Sequence, residues 1–195
     1  MAIFWVVSVS GLAVEIRISP WPRPHLTPFT LKVTRLLEAE VTILRAIPTD
    51  ADDVSAMLES LVAAGKRTSP GDPDFALNNY IVNPDGILCS VAVGPDGSIL
   101  GLQSLKRATI GNRFDTPVGW GIIGTHVTPS AARRGVGARL FQASKTAAAT
   151  AAITNIEAYI GAANLEGQAY YEAMGFRTYR TAEKAISKVF RMEGS

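Results

Sequence analysis

Residues Gly124 to Phe141 read GTHVTPSAARRGVGARLF, and this stretch decides the fold. Upstream of Val127 the residues are apolar or small (Trp120, Ile122, Ile123), as a buried strand requires. Downstream of Gly137, the positions Leu140, Phe141, Ser144, Ala147 and Ala148 lie on one face of a helix. Between them Gly135 and Gly137 allow the backbone to approach a ligand and to adopt torsions that a Cβ penalises. A helix starting there leaves its first N–H groups without partners, with the positive end of its dipole behind them. Strand, glycine loop and helix N-terminus together form a cradle suited to a pyrophosphate.

Taken alone, Gly-x-Gly at such a junction also fits a tight turn that binds nothing. No Gly-Lys-Ser/Thr follows, so it is not a P-loop, and the third glycine of the dinucleotide fingerprint is missing. The flanking residues carry more. Val127-Thr128-Pro129 ends the strand, and Gly135-Val136-Gly137 follows at a fixed distance. This arrangement resembles the GNAT (Gcn5-related N-acetyltransferase) superfamily, in which a Gln/Arg-x-x-Gly-x-Gly/Ala loop wraps the pyrophosphate of acetyl-CoA. The departure is Ala132, where the family usually carries Gln or Arg; Arg133 and Arg134 beside it supply positive charge.

A second block, Asn164-Leu-Glu-Gly167-Gln-Ala-Tyr170-Tyr171-Glu-Ala-Met-Gly175-Phe176, is similar to the family's C-terminal signature at every marked position. The resemblance runs from about Val41 to the C-terminus. It implies an α/β fold with a mixed, mostly antiparallel central sheet, helices on both faces and a splayed acetyl-CoA cleft. It also implies acetyl-CoA as co-substrate and transfer of its acetyl group to a primary amine of a small molecule, an amino acid or a protein N-terminus. By position, the backbone of His126 and Val127, opposite Ile160 and Gly161, would hold the pantetheine and acetyl oxygen. The loop Arg133, Arg134, Gly135, Val136, Gly137 and Ala138 would hold the pyrophosphate. Asn164 matches a cofactor-binding position and equally suits a helix N-cap. Tyr171 matches the tyrosine that often protonates the departing sulfur, a plausible acid–thiolate pair on intrinsic pKa values. Its neighbour Tyr170 reads as the ring that packs on the sheet. A carboxylate at Gly135 or Gly137 is expected to expel the cofactor and leave the fold intact.

The base is less marked. Glu157 alternates with Ile156 and Ala158 in a strand pattern, so its face could open on the substrate cleft. His126 has a suitable intrinsic pKa but sits at the cofactor end. Water chains serve many relatives, so no single base is required. The acceptor pocket would be built by about residues 52–82 and the loop 107–117, which hold Lys66, Arg67, Asp72, Asp74, Arg107 and Arg113 in no readable pattern. Two other readings stand beside the enzyme: a non-catalytic acyl-CoA-binding or sensing module of the same fold, and nucleotide binding at the glycine loop.

The rest of the chain bounds these readings. Its 195 residues, 47% hydrophobic and 18% charged, suit one domain with a substantial core. A net charge of +2 does not argue for nucleic acid. Cys89, the single cysteine, lies in an apolar strand pattern and reads as core; two histidines do not suggest a metal site. Residues 2–14 form an apolar run shorter than a bilayer span and without a basic leader, so no membrane partner is expected. Pro20, Pro22, Pro24 and Pro28 follow, and residues 1–40 read as an extension ahead of an acetyltransferase domain at 41–195. A cytoplasmic location is expected, and a homodimer is compatible with the apolar run.

In order, a strand is predicted at 41–45, a helix from Thr49 or Asp50 to about Ala64, and a shorter helix at 74–82. A hairpin follows, at 87–105 around Gly94-Pro95-Asp96-Gly97. After the loop at 107–117 come the strand ending at Val127, the helix 135–149, a strand at 153–160, a helix at 164–174 and two final strands.

Overall fold

A computed structural model describes residues 41–192, and the predicted extension at 1–40 lies outside the described residues. The elements follow the predicted order. Strands β1 (Thr42–Arg45), β2 (Gly86–Val93), β3 (Ile99–Arg107), β4 (Gly121–Val127), β5 (Asn155–Gly161), β6 (Arg177–Thr181) and β7 (Ala185–Arg191) form one sheet in the order β1-β2-β3-β4-β5-β7-β6. Every neighbouring pair is antiparallel except β4–β5, which is parallel. That pair needs a crossover, supplied by helix α3 (Val136–Thr150).

The period-2 alternation of the strands sorts side chains to two faces. Cys89, Val91 and Leu102 point to one face, where α1 (Ala51–Ala63) covers them with Val54, Met57, Leu58 and Leu61. That i, i+3, i+4, i+7 spacing is the apolar stripe of a helix lying on a sheet. Asp50 stands at the head of α1, but its carboxylate reaches back to the amide of Ile47 (2.8 Å) instead of forward into the helix. The shorter helix α2 (Pro73–Ala76) is capped by Asp72, whose Oδ1 accepts from the amide of Phe75 at 2.9 Å. It then widens into a π-helical turn, Leu77–Ile81, so the segment predicted as one regular helix is two.

The opposite face carries α3 and α4 (Leu165–Ala173). Ile156, Ala158 and Ile160 of β5 meet Phe141, Tyr171 and Phe176 there. Phe176 contacts the rings of Phe141 (5.3 Å), Tyr171 (5.0 Å) and Phe190 (5.4 Å) in tilted or edge geometry. Such pairs contribute about 0.5–1.5 kcal/mol each beyond their buried area. Gly175 (φ +96) ends α4, and the amide of Phe176 returns to the Tyr171 carbonyl at 2.9 Å. Cys89 is buried among α1 and β2 residues, and burial pushes its thiol up to about 12, which leaves it a core residue. None of the described helices is long and apolar enough to cross a membrane.

One feature of the sheet positions the site. β4 and β5 pair only through Gly121–Ile123 against Ile156–Ala158. Beyond that point β4 stays with β3 as far as Val127, and β5 stays with β7 as far as Gly161. The two central strands therefore part, leaving Gly124–Val127 and Tyr159–Gly161 facing across an open V.

Candidate active site

The V is flanked at one end by the glycine loop. Gly135 takes φ +77 and Arg133 takes φ +61, so the chain curls through two left-handed residues before α3 begins. A Cβ on Gly135 would meet nothing within 4 Å, so its glycine is required by torsion and not by crowding. Arg139 is the first residue whose amide bonds back, to the Gly135 carbonyl at 3.1 Å. The amides of Val136, Gly137 and Ala138 therefore open from the helix N-terminus. Arg133 and Arg134 are exposed beside them, with no carboxylate partner among the described residues. This is a polar, positively biased concavity built from backbone, and an anion fits it.

Gly137 differs from Gly135. A Cβ there would lie 2.6 Å from Cε2 of Tyr170. The ring of Tyr170 packs against the first turn of α3, and its hydroxyl donates to the Gly137 carbonyl at 2.8 Å. The expectation that a carboxylate at either glycine spares the fold meets a packed aromatic ring at Gly137, which any side chain displaces, and only the left-handed torsion at Gly135.

Tyr171 stands on the α3/α4 side of the V. Its side chain is 6% exposed, and its hydroxyl lies 2.9 Å from Oγ1 of Thr125, a residue of the diverged part of β4. Burial raises the pKa of this phenol well above its ordinary value, against the opposing effect of the Thr125 hydrogen bond, so it keeps its proton across the whole physiological range. Thr125 in turn accepts from Nε2 of Gln103 at 2.8 Å, and the Gln103 Oε1 accepts from Ser144 at 2.6 Å. Asn164 caps α4, its Oδ1 accepting from Gly167 at 2.9 Å.

The other side of the V belongs to the α1/α2 face. Gly124 offers it no side chain, and a Cβ there would have only Ser104 Oγ nearby, at 3.6 Å. His126 points the same way. Arg67 Nη1 and the Tyr80 hydroxyl both lie 3.2 Å from its Nε2. Arginine can only donate, so Nε2 is the acceptor and the proton sits on Nδ1. Burial, reinforced by the Arg67 charge, lowers the His126 pKa to about 4, which keeps the ring neutral and leaves it a poor base.

Glu157 lies on this face as its alternation implied, but beneath the surface. It is 0% exposed; Oε1 accepts from Arg180 Nη2 at 2.9 Å, while Oε2 has no partner among the described residues. Arg180 also donates to the Phe114 carbonyl (2.6 Å), which ties the loop between β3 and β4 down over β5 and β7. Burial and the nearby Glu157 carboxylate raise the Tyr179 phenol to about 12. A cavity of about 120 Å³ opens beside this cluster, lined by Arg113, Phe114, Asp115, Tyr159, Arg180 and Ser187. Of the other charges in the predicted pocket segments, Asp72 is a cap, Arg107 braces the Gly119 and Ala151 carbonyls, and Lys66 pairs with Glu166 on α4 at 2.7 Å. No group of three or more potential metal ligands occurs among the described residues.

The sequence located the glycine loop, and the family resemblance implied the V and pointed to Tyr171. Both passed over Gln103, Thr125, Ser144 and Arg180. Their signal was faint: alternation puts Gln103 in line with Leu105 and Thr125 in line with Ile123, on the inward face, but nothing local marks either as functional.

Residues 55–176, more than half of the chain, match the family described as Acetyltransferase (GNAT) family. The protein yncA of Salmonella typhimurium, solved with its cofactor acetyl-CoA, is similar at 17% identity and TM-score 0.61, over 80% of this chain and 95% of that one. A GCN5-related N-acetyltransferase from Kribbella flavida aligns at 17% identity and TM-score 0.63, over 78% and 98%. The ribosomal-protein-S5-alanine acetyltransferase of Vibrio fischeri aligns at 14% identity and TM-score 0.60, over 77% and 92%. At such identities the likeness is one of fold. No curated protein matches the sequence. The chain belongs to the GNAT acetyltransferase family.

Proposed function

We propose that this chain moves the acetyl group of acetyl-CoA to a primary amine of a small molecule. The observation that carries the reading is the V between β4 and β5, with the backbone anion cradle at one end and a buried, protonated tyrosine hydroxyl at its wall. In this reading the amides of residues 136–138, with Arg133, Arg134 and Gly135, hold the pyrophosphate. The unpaired edge of His126 and Val127 faces the pantetheine and the acetyl oxygen, and Asn164 adds a side-chain donor beyond its cap. The thioester supplies an activated acetyl group with a thiolate leaving group. Tyr171 gives that sulfur its proton. Glu157 receives the amine's proton on its partnerless Oε2; because Glu157 is wholly buried, the proton reaches it through water.

The acceptor enters from the α1/α2 face, between the loop that carries Arg67 and the loop that carries Arg113 and Phe114. The 120 Å³ cavity beside Arg113, Phe114, Tyr159 and Arg180 on that face is of a size that suits a small amine better than a folded protein surface. Thiol release from acetyl-CoA, measured across a panel of small amines, amino acids and peptides, tests the reading. Release that depends on one class of amine supports it. Tight acetyl-CoA binding without turnover on the whole panel would replace it with the binding or sensing module. ATP or NAD competing with CoA at the loop would replace it with a nucleotide site.

A further inference from the structure

Five polar side chains on β3, β4, α3 and α4 form one hydrogen-bonded chain behind the V, and its proton directions can be worked out. The Tyr170 hydroxyl lies 2.8 Å from the Gly137 carbonyl, which can only accept, so Tyr170 spends its proton there. Its oxygen must then accept from Gln103, 3.2 Å away, which fixes Nε2 of the amide on that side. The second hydrogen of Nε2 goes to Thr125 Oγ1 at 2.8 Å, and Oε1 takes the Ser144 proton at 2.6 Å. Gln103 is 0% exposed and all three of its contacts agree on one orientation.

Thr125, with its oxygen already accepting from Gln103, has one hydrogen to place. The Tyr170 oxygen beside it already accepts from Gln103, which leaves the Tyr171 hydroxyl, 2.9 Å away, as the acceptor with an uncommitted lone pair. If Tyr171 donated instead, the half-buried Thr125 hydroxyl would lose its acceptor within the network and would have to find one in solvent. Thr125 therefore donates to the Tyr171 oxygen, and the Tyr171 proton is left to point away from the network.

We propose that Gln103 and Thr125 are positioning residues that hold the Tyr171 oxygen as an acceptor and leave its proton aimed at the sulfur leaving the V. The inference rests on the acetyl-transfer reading above. As the N–C bond forms and the C–S bond breaks, the sulfur takes the Tyr171 proton. The amine gives up one proton through water to Glu157, and that proton returns through solvent to the phenolate, so the products are an amide and a thiol. The Thr125 hydrogen bond supports the phenolate during that exchange, and neither Gln103 nor Thr125 touches the reacting atoms.

The test is a double-variant cycle on the full chain. Thr125→Val should lower kcat about tenfold, the value of one lost hydrogen bond, with the KM for acetyl-CoA within about twofold of the parent. Thr125→Ser, which restores the hydroxyl, should recover kcat to within about threefold. In a Tyr171→Phe background, Thr125→Val should cause no further loss, because the group it positions is gone. Gln103→Glu, near-isosteric but without the amide donor, should show the same non-additivity and serves if Thr125→Val does not fold. Equal losses from Thr125→Val or Gln103→Glu in the two backgrounds would overturn the inference and make the network purely structural. A parent that turns over no amine would remove the transfer reading and this inference together; an active parent with additive losses would remove this inference alone.

Discussion

Gly137→Ala tests how the cradle is built. An added Cβ lies 2.6 Å from Tyr170 Cε2, 3.2 Å from Cζ and 3.4 Å from Cδ2. Tyr170 has little freedom to yield. Its hydroxyl is bound to the Gly137 carbonyl and to Gln103, and its ring stands 4.9 Å from that of Tyr171. Either α4 or the first turn of α3 must shift by several tenths of an ångström. Overpacking of this kind costs about 1–3 kcal/mol, and helix propensity returns up to about 1 kcal/mol. With the full return, a net cost of up to about 2 kcal/mol remains, which lowers Tm by as much as roughly 8 °C in a domain of this size. CoA affinity should fall as well, because the displaced turn carries the amides at 136–138. Gly135→Ala supplies the control. It pays a left-handed torsion cost of about 1–2 kcal/mol but meets no neighbour. Pairing each variant with Tyr170→Leu separates the two causes. The coupling energy from thermal melts should exceed about 1 kcal/mol for 137 with 170, and stay within about 0.5 kcal/mol for 135 with 170. A Gly137→Ala protein that melts with the parent and titrates CoA unchanged would refute the packing of α4 on the loop.

Three further outcomes are expected. Tyr171→Phe should lower kcat by about 10²–10⁴-fold while the KM for acetyl-CoA moves far less, since the phosphates are held elsewhere; turnover within about threefold of the parent would make Tyr171 a packing residue. Because the folded-state pKa of His126 is about 4, below its ordinary 6.5, the unfolded chain binds the proton first and stability falls as pH drops from 6.5 to 4. The loss attributable to this ring is at most about 3 kcal/mol, and His126→Gln, which keeps an acceptor for Arg67 and Tyr80, should flatten that part of the Tm–pH curve; an unchanged curve would show that His126 is not held neutral. Removing residues 1–40 should preserve turnover, since β1 begins at Thr42 and the family match at residue 55; an insoluble truncation would assign the apolar run at 2–14 to packing or to a subunit interface.

What was legible in the sequence and what was not divide along one physical line. The order of elements and the loop follow from local signals: period-2 and period-3.6 apolar patterns, glycines at forced torsions, a proline at a strand end; the diverging strands were implied only by the family resemblance. Those signals act over a few residues, so one chain position reports on them. Asp50 does stand at the N-cap of α1, but an aspartate near a helix start has two amide clusters in reach, and Asp50 binds the earlier one, at Ile47. Glu157 was placed on the correct face by alternation, but alternation says nothing about depth, and Arg180, 23 residues away, covers it.

The Tyr171 network was hidden for the same reason. Its members stand at 103, 125, 144, 170 and 171, on four elements, and each has an ordinary local role. Gln103 reads as a polar residue on a strand, Ser144 as a small residue on a helix, and Thr125 as β-branched sheet filling. Only strand register joins them: Gln103 lies directly opposite Thr125 across β3 and β4, and α3 lays Ser144 over both. Register puts the polar pair on the inner face, where an unpaired amide is costly and each donor must find an acceptor. That requirement gives the chain of bonds its direction. It starts at a backbone carbonyl in the cradle helix and ends at the tyrosine proposed to protonate the sulfur. The proposed anion site and the proposed acid are therefore held by one set of hydrogen bonds, and a displacement at Gly137 should be felt at Tyr171 through Tyr170 and Gln103.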